Sequence, residues 1–192
     1  MIEKKKLFYK SFLFIRHGET NYNAQNIYMG QLDIELNENG KLQAEQAEKI
    51  LAKEQIDLIF HSPLKRTRQT TAIFNTRNIE MRELENIQER NCGSFQGLSK
   101  NHVKQLREKA KKHFFPDDAE TDAGFENRVF SAFHKTLSSN IEKNILFVSH
   151  GGVFKALLKI LNIESFEIKN CQIIRFIASK NEKHDWAVAK IN

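Results

Sequence analysis

Short apolar runs alternate along this chain with longer stretches of helical periodicity, and this alternation constrains the fold more than any other feature. The apolar runs cover residues 12–15, 58–60, 145–148 and 173–177, and each is bounded by turn or capping residues. Runs of this length are typical of buried β-strands. Residues 185–190 alternate between polar and apolar and add a candidate edge strand, and residues 81–84 form a weaker strand candidate.

Between these runs, apolar residues recur with the spacing of an amphipathic α-helix. The helical stretches cover residues 38–52, 64–74, 100–114, 125–137 and 153–161, whereas residues 116–124 are polar and predict a surface loop. Strand and helix in repeated succession predict an α/β fold, a three-layer sandwich in which helices flank a mostly parallel central sheet. We find neither an internal repeat nor a linker, so we expect a single domain over residues 1–192.

The composition is that of an ordinary globular protein. The 192 residues are 40% hydrophobic and 28% charged, and their formal net charge is +6. A chain of this length can bury a core without disulfide or metal cross-links, and it lacks the bias of collagen, linkers or mucins. Cys92 and Cys171 fit neither a CxxC motif nor a disulfide framework, so we expect free thiols in a reducing compartment.

No targeting or membrane segment is apparent in the sequence. An apolar run over residues 7–15 follows three lysines, but Lys10 interrupts it and no small-residue cleavage site follows. No stretch reaches the ~18 apolar residues that a membrane span needs. We therefore expect a cytoplasmic protein that does not bind membranes. The mild positive charge alone does not decide between nucleic acid and small anions as partners.

The residues that follow three of the predicted strands are unusually basic. They are Arg16 and His17 after the first strand, Arg66 in the first turn of the helix after the second, and His150 with Gly151 at the start of the helix after the third. Ser62 and Pro63 suit the N-cap and first position of the middle helix. Because the carboxyl ends of parallel strands lie at one edge of a sheet, these cations and helix N-termini predict an anion site.

Four sequence blocks resemble the histidine phosphatase superfamily, in the branch that includes cofactor-dependent phosphoglycerate mutases. They are RHGET at residues 16–20 with Asn23, Asn26, Gly30 and Asp33 after it, SPLKRTRQTTA at 62–72, ERNCGSFQG at 89–97, and SHGG at 149–152. The blocks occur in the family's order and extend over most of the chain. The resemblance implies a phosphoglycerate mutase-like fold.

The resemblance also implies roles for individual residues. His17 would be the nucleophile that forms a phosphohistidine, with the carbonyl of Gly18 fixing its tautomer. Arg16, Arg66 and His150 would donate hydrogen bonds to phosphate oxygens, and Glu89 would protonate the leaving oxygen and then activate water. Further residues expected to bind phosphate or substrate are Thr20, Asn23, Gly151 and Lys100.

From these residues we expect a metal-independent phosphomonoester hydrolase that acts on a small phosphorylated metabolite and needs no cofactor. One alternative is a cofactor-dependent mutase, which Lys100 favours because mutases of the family carry a lysine there. Cys92 stands where those mutases tend to have a tyrosine, and only 53 positions separate Gly97 from His150. That spacing leaves no room for the long insertion typical of the mutases.

Two functions without catalysis also fit a basic pocket, namely a phosphate-binding regulator and a nucleic-acid binder. His17 and Glu89 are both present, which argues against the regulator. The predicted helix at 100–114 carries a basic face, formed by Lys100, Lys104, Arg107 and Lys111, that either is simply solvated or attracts an anionic substrate. No interleaved aromatic residues support nucleic-acid binding, no ligand spacing supports a metal site, and oligomeric state is not predicted.

Overall fold

A computed structural model describes residues 10–112, 114–179 and 186–192, and it confirms the predicted α/β fold. The six strands are β1 (Phe12–Arg16), β2 (Leu58–His61), β3 (Met81–Glu83), β4 (Ile145–Ser149), β5 (Ile173–Ala178) and β6 (Trp186–Ile191). They form one sheet in the order β3-β2-β4-β1-β5-β6. The first four strands in that order are parallel, while β5 and β6 are antiparallel to their neighbours.

Six α-helices connect or follow these strands within the described residues. They are α1 (Asn21–Ala24), α2 (Glu38–Leu51), α3 (Lys65–Phe74), α4 (Lys100–Lys109), α5 (Asp122–Ser138) and α6 (Gly151–Ile160). Two short 3-10 turns, Glu85–Ile87 and Gly93–Phe95, interrupt the segment between β3 and α4. Sequence periodicity does not predict the four-residue α1, which is too short to show a pattern.

Alternation along each strand divides the core into two layers. Phe12 and Phe14 of β1 face one cluster, which includes residues of α5 and α6, whereas Leu13 and Ile15 face the other, which includes residues of α2 and α3. The first layer is rich in aromatic rings, such as the Phe12 and Phe176 rings stacked with centroids 4.7 Å apart. The sheet is therefore buried on both faces, as a three-layer sandwich requires.

The predicted start of the helix after β2 is wrong. The helix begins at Lys65 with Leu64 as its N-cap, so neither Ser62 nor Pro63 takes the position predicted for it. The backbone is still extended at Leu64, and the Ser62 hydroxyl is instead 2.8 Å from Nε2 of His150. The same hydroxyl also accepts, at 3.4 Å, from the N–H of Leu64, which still precedes the helix. Arg66 nevertheless lies in the first turn, as predicted.

Two other predicted boundaries are wrong as well. Helix α4 ends at Lys109 rather than at Phe114, because Lys111 takes a left-handed backbone conformation with φ 52°. The chain then turns so that the ring of Phe114 packs 5.5 Å from that of Phe95. The predicted loop at 116–124 is too long, since α5 already begins at Asp122. Residues 113 and 185, which belong to a predicted helix and a predicted strand, lie outside the described residues.

The two cysteines are confirmed as free thiols, and both are buried. Burial raises the pKa of Cys92 and of Cys171 to about 12. Over the described ranges, no helix combines the length and the apolar character that crossing a membrane would take.

Two glycines let the loop after β1 pack directly on the first turn of α2. An added Cβ on Gly40 would lie 2.1 Å from the carbonyl oxygen of Glu19, and one on Gly18 would lie 2.5 Å from the carbonyl oxygen of Gly40. Both obstacles are backbone atoms, which cannot rotate away. The loop that carries His17 is thereby held against α2 by main-chain contact on one side.

We expect Gly40→Ala to lower the free energy of unfolding by about 1–3 kcal/mol, because the new methyl group overpacks a backbone contact. Gly124→Ala is a matched control. Both glycines are the third residue of a helix, and the N–H of each donates to its N-cap side chain. The nearest atom to a Cβ on Gly124 is only that side-chain oxygen, at 3.0 Å. Urea titration checks the difference; equal stabilities for the two variants would contradict it.

Candidate active site

The carboxyl ends of the parallel strands open into a cavity of about 590 Å³. Of the predicted site residues, those that line it are Arg16, His17, Asn23, Arg66, Glu89, Lys100 and Gly151. Thr20 and His150 are completely buried beside it and are absent from its wall. The fold thus brings together residues that are as much as 135 positions apart, between Arg16 and Gly151.

His17 is buried and has a defined tautomer. Its Nδ1 lies 2.7 Å from the carbonyl oxygen of Gly18. A carbonyl can only accept, so Nδ1 carries the proton and Nε2 keeps its lone pair. Burial, together with the positive charges of Arg66 and Arg16, holds the pKa of His17 well below its usual range. The ring is consequently a neutral imidazole whose Nε2 is free to act as a nucleophile.

The two arginines are anchored in different ways. Arg66 is fully buried, and its guanidinium donates through Nη1 to the carbonyl of Leu32 and through Nη2 to that of Gly30, both at 2.8 Å. Burial lowers its pKa to about 10, so it stays charged at neutral pH. Arg16 donates through Nη1 to Ile168 at 2.8 Å, and its buried Nε has no hydrogen-bond partner among the described residues. Arg16 therefore has one buried donor that the described residues leave unpaired.

His150 lies beneath the cavity floor. Its Nδ1 accepts from Nε of Arg66 at 3.3 Å, so its proton is on Nε2, which donates to the Ser62 hydroxyl at 2.8 Å. Its ring centroid is 5.2 Å from that of His17. Burial and the charge of Arg66 keep its pKa well below the usual range. In this arrangement His150 orients Arg66 and packs beside His17.

Glu89 lies over the N-terminus of α6. One carboxylate oxygen accepts from the N–H of Gly152 at 2.9 Å, and the other accepts from the N–H of Arg90 at 2.8 Å. A Cβ on Gly152 would be 2.0 Å from Glu89 Oε1, whereas one on Gly151 would meet only Arg16, at 3.6 Å. The missing side chain at Gly152 is what allows the carboxylate to occupy this position.

The remaining predicted residues differ in what they can offer a ligand. Thr20 is the N-cap of α1, where its hydroxyl accepts from the N–H of Asn23 and donates to Asn23 Oδ1. Asn23 Oδ1 also accepts from Nδ2 of Asn170 at 3.3 Å, so the amide group of Asn23 is its available donor. Lys100 is exposed at the first position of α4. Thr20 thus has a capping role, while Asn23 and Lys100 remain candidates for ligand contact.

Cations at the mouth of the cavity are paired with carboxylates. Arg90 pairs with Asp122 and stacks between two phenylalanines, with its guanidinium carbon 4.7 Å from the ring centroid of Phe115 and 4.9 Å from that of Phe125. Lys155 pairs with Glu167 at 3.5 Å, and Lys159 pairs with Glu126. These three cations are therefore partly neutralised, whereas Lys100 on the cavity wall and Arg16 and Arg66 at the floor belong to no ion pair among the residues that the structure describes.

Helix α4 does not present the uniform basic face that the sequence suggests. Arg107 folds inward, donating through Nε to the carbonyl of Phe114 at 3.0 Å and through Nη1 to the hydroxyl of Tyr28 at 3.1 Å. Lys104 pairs with Glu108 at 3.7 Å.

Several groups that build the site were assigned no role from the sequence. The Ser149 hydroxyl donates to the carbonyl of Ile87 at 2.7 Å, and Gln31 donates through Nε2 to the carbonyl of Glu89 at 3.0 Å. Thr70 accepts from the N–H of Gly18 at 3.0 Å. These contacts join residues 52 to 62 positions apart, so sequence reasoning, which depends on local patterns, missed them.

Clusters of metal-binding side chains are absent from the part of the chain that the structure describes. No group of three or more His, Cys, Asp or Glu side chains there is arranged to hold a metal ion.

Comparison with known proteins identifies relatives over most of the chain. A sequence model of the histidine phosphatase superfamily (branch 1) matches residues 12–192. The uncharacterized phosphatase PhoE of Bacillus subtilis is 28% identical over 93% of this chain and 92% of its own length. A 2,3-bisphosphoglycerate-dependent phosphoglycerate mutase of Cytophaga hutchinsonii is 30% identical over 76% of this chain and 74% of its own.

The fold is also found among solved structures. A mycobacterial glucosyl-3-phosphoglycerate phosphatase superposes with a TM-score of 0.82 at 24% identity, over 93% of this chain and 97% of that one. At this identity the likeness shows the fold alone.

The buried neutral imidazoles of His17 and His150 should make the protein less stable as the pH falls. Their pKa values are lowered in the folded protein, so below about pH 6.5 the unfolded chain binds protons that the folded chain does not. The free energy of unfolding should therefore fall below pH 6.5, with a slope of up to about 2.7 kcal/mol per pH unit from the two groups.

Replacing His150 by Gln should remove about half of that slope, since one of the two protons is no longer taken up. His102→Gln, at an exposed position of α4, is the control and should leave the slope as it is. Urea titrations at pH 5 to 7.5 provide the measurement. An unchanged slope in His150→Gln would show that the folded state already holds His150 protonated.

Proposed function

The chain belongs to branch 1 of the histidine phosphatase superfamily, and we propose that it is a metal-independent phosphomonoester hydrolase acting through a phosphohistidine at His17. One observation carries this proposal above the others. A neutral, buried imidazole presents a free Nε2 at the floor of a cavity that two arginine side chains also line. The substrate would be a small phosphorylated metabolite, and residues 1–192 are taken as one catalytic domain that needs no cofactor.

In the first step, Nε2 of His17 attacks phosphorus, and the bond from phosphorus to the leaving oxygen breaks. Glu89 donates a proton to that oxygen, so the product leaves as an alcohol. In the second step, water attacks the phosphohistidine, Glu89 accepts the water proton, and the bond between phosphorus and Nε2 breaks. Inorganic phosphate leaves, and His17 returns to its starting tautomer.

The cavity floor supplies positive charge for the phosphoryl oxygens. Arg16 offers its unpartnered Nε, and Arg66 is held in place by two backbone carbonyls and by His150. The N-terminus of α6 at Gly151 and the side-chain amide of Asn23 complete the proposed contacts. In this scheme His150 acts mainly by orienting Arg66, and Thr20 acts by capping the helix that carries Asn23.

Brief incubation with a labelled aryl phosphate should give a phosphoenzyme that is labile in acid and stable in base, because a phosphoramidate at His17 has this reactivity. His17→Ala should abolish both the label and turnover. Rapid quench followed by acid and base treatment measures this. An acid-stable adduct, or turnover that survives in His17→Ala, would overturn the proposed mechanism.

Replacing Glu89 by Gln should lower kcat by roughly 10²- to 10⁴-fold for substrates with poor leaving groups, since it removes the proton donor. The loss should be smaller with 4-nitrophenyl phosphate than with phenyl phosphate, whose leaving oxygen needs protonation more. Steady-state kinetics on both substrates measures the difference. Equal losses would mean that Glu89 is not the donor.

A glycine substitution tests the position of Glu89. Gly152→Ala should displace the carboxylate and give the same leaving-group dependence, because its methyl group would overlap Glu89 Oε1. Gly124→Ala, near the start of α5 and not among the residues that line the cavity, is the control and should have little effect on kcat.

A mutase activity is the second candidate, favoured by the relative from Cytophaga hutchinsonii and by Lys100 at the cavity wall. Phosphoglycerates bring a carboxylate in addition to phosphate, and the mouth cations Arg90, Lys155 and Lys159 are already paired with carboxylates. This pairing supports hydrolysis of substrates with less negative charge.

We therefore expect hydrolysis of a good phosphatase substrate to exceed isomerisation of 3-phosphoglycerate primed with 2,3-bisphosphoglycerate. Parallel assays of phosphate release and of 2-phosphoglycerate formation measure the two rates. Isomerisation that is much faster than every hydrolysis would assign the protein as a mutase.

A further inference from the structure

Every backbone carbonyl from Asn86 to Glu89 accepts a hydrogen bond from a side chain. Arg128 donates to the carbonyls of Asn86, Gln88 and Glu89. Ser149 donates to that of Ile87, and Gln31 also donates to that of Glu89. The 3-10 turn ends at Ile87, and Gln88 and Glu89 belong to no helix or strand. The geometry of this segment therefore depends on side chains from elsewhere in the fold.

Arg128, in the middle of α5, provides most of these contacts. Its Nη1 donates to the carbonyls of Asn86 at 3.0 Å and Gln88 at 2.9 Å, and its Nη2 donates to that of Glu89 at 2.9 Å. The other two N–H groups meet Glu120 in a bidentate pair, Nε to Oε1 at 2.6 Å and Nη2 to Oε2 at 2.9 Å. All five N–H donors of a guanidinium are thus in use.

Glu120 fixes the orientation of that guanidinium. The two side chains are each only 18% exposed, so water competes weakly with their pairing. Glu120 is itself tied to the residues beyond Glu89, because its N–H donates to the carbonyl of Asn91 at 2.9 Å. The guanidinium also stacks 4.8 Å from the ring centroid of Phe125. The pair therefore holds the acid-bearing segment from both sides of Glu89.

We propose that Arg128, oriented by Glu120, is a positioning residue that holds the carboxylate of Glu89 at the catalytic position beside the N-terminus of α6. The inference rests on the proposed function. Arg128 does not itself line the cavity, and its hydrogen bond to Glu89 is to the carbonyl; it fixes the backbone from which the Glu89 carboxylate reaches the N–H of Gly152. Displacement by about 1 Å is enough to cost up to 10²-fold in rate, so a small shift of this segment would impair proton transfer.

Lysine cannot replace this arrangement, because an ammonium group lacks the planar fork that reaches three carbonyls and a carboxylate together. We expect Arg128→Lys to lower kcat with phenyl phosphate by about 10- to 100-fold, and with 4-nitrophenyl phosphate by about 3-fold or less, with KM changed little. A purely structural role would lower both rates equally.

A double-mutant cycle with Glu89→Gln sharpens the test. If Arg128 acts through Glu89, Arg128→Lys should cause no further loss of kcat with phenyl phosphate once the carboxyl group is gone. Losses that multiply in the double variant, or equal losses on both substrates in the single variant, would overturn the inference.

Arg77→Lys is the matched control. Arg77 also bridges two backbone carbonyls, those of Leu51 and Glu54, at 3.0 and 3.1 Å, on a surface that shares no residue with the cavity. It should lower Tm while leaving the ratio of the two kcat values as in the wild type. A changed ratio in Arg77→Lys would show that general destabilisation produces the effect, and the inference would fail.

Circular dichroism checks that each variant is folded. If Arg128→Lys does not fold, Glu120→Gln is the second variant. We expect it to lower kcat less than Arg128→Lys does, and again more with phenyl phosphate than with 4-nitrophenyl phosphate. Equal losses of kcat on both substrates would count against the inference. If the wild type forms no phosphoenzyme at His17, the proposed function itself is wrong. If it forms one, but Arg128→Lys lowers kcat equally on both substrates, only the role of Arg128 is wrong.

Discussion

The site depends above all on one buried positive charge, the guanidinium of Arg66. Removing a charge from water is costly unless hydrogen bonds replace the lost hydration. Here the carbonyls of Gly30 and Leu32 and the ring of His150 provide those bonds. The loop between α1 and α2, the start of α3 and the end of β4 must therefore meet at this point, and the same charge helps keep His17 neutral. The contacts that allow Arg66 to be buried thus also hold its charge close to His17.

Much of this architecture could be predicted from local patterns. The apolar runs identify the strands because a sheet covered on both faces needs continuous apolar residues, and the order of strands and helices then implies a mostly parallel sheet. The four family blocks, which follow strands or lie on the acid-bearing loop, also indicate the residues that gather at one edge. Helix ends were less predictable, as α4 shows, since Phe114 continues the apolar spacing but packs on Phe95 after the chain has turned.

What the sequence does not reveal is long-range hydrogen bonding. Arg128 resembles any helical arginine, Ser62 resembles an ordinary N-cap, and Gly152 resembles a second small residue in a glycine pair. Their partners lie 39, 88 and 63 positions away, at Glu89, His150 and Glu89 respectively. Ser62 and Gly152 lie in the family blocks and Arg128 in no motif, but for none of the three does the local pattern identify the distant partner.

The carboxylate of Glu89 at the N-terminus of α6 has a consequence for ligand exchange. A carboxyl oxygen of Glu89 accepts the N–H of Gly152, so that N–H is not available to a ligand oxygen unless Glu89 moves. If the chain is the phosphatase that we propose, substrate and inorganic phosphate both enter a site in which one of the protein's own side chains already occupies part of the helix N-terminus. The contact that positions the acid would then also lower the affinity for the product and favour its release.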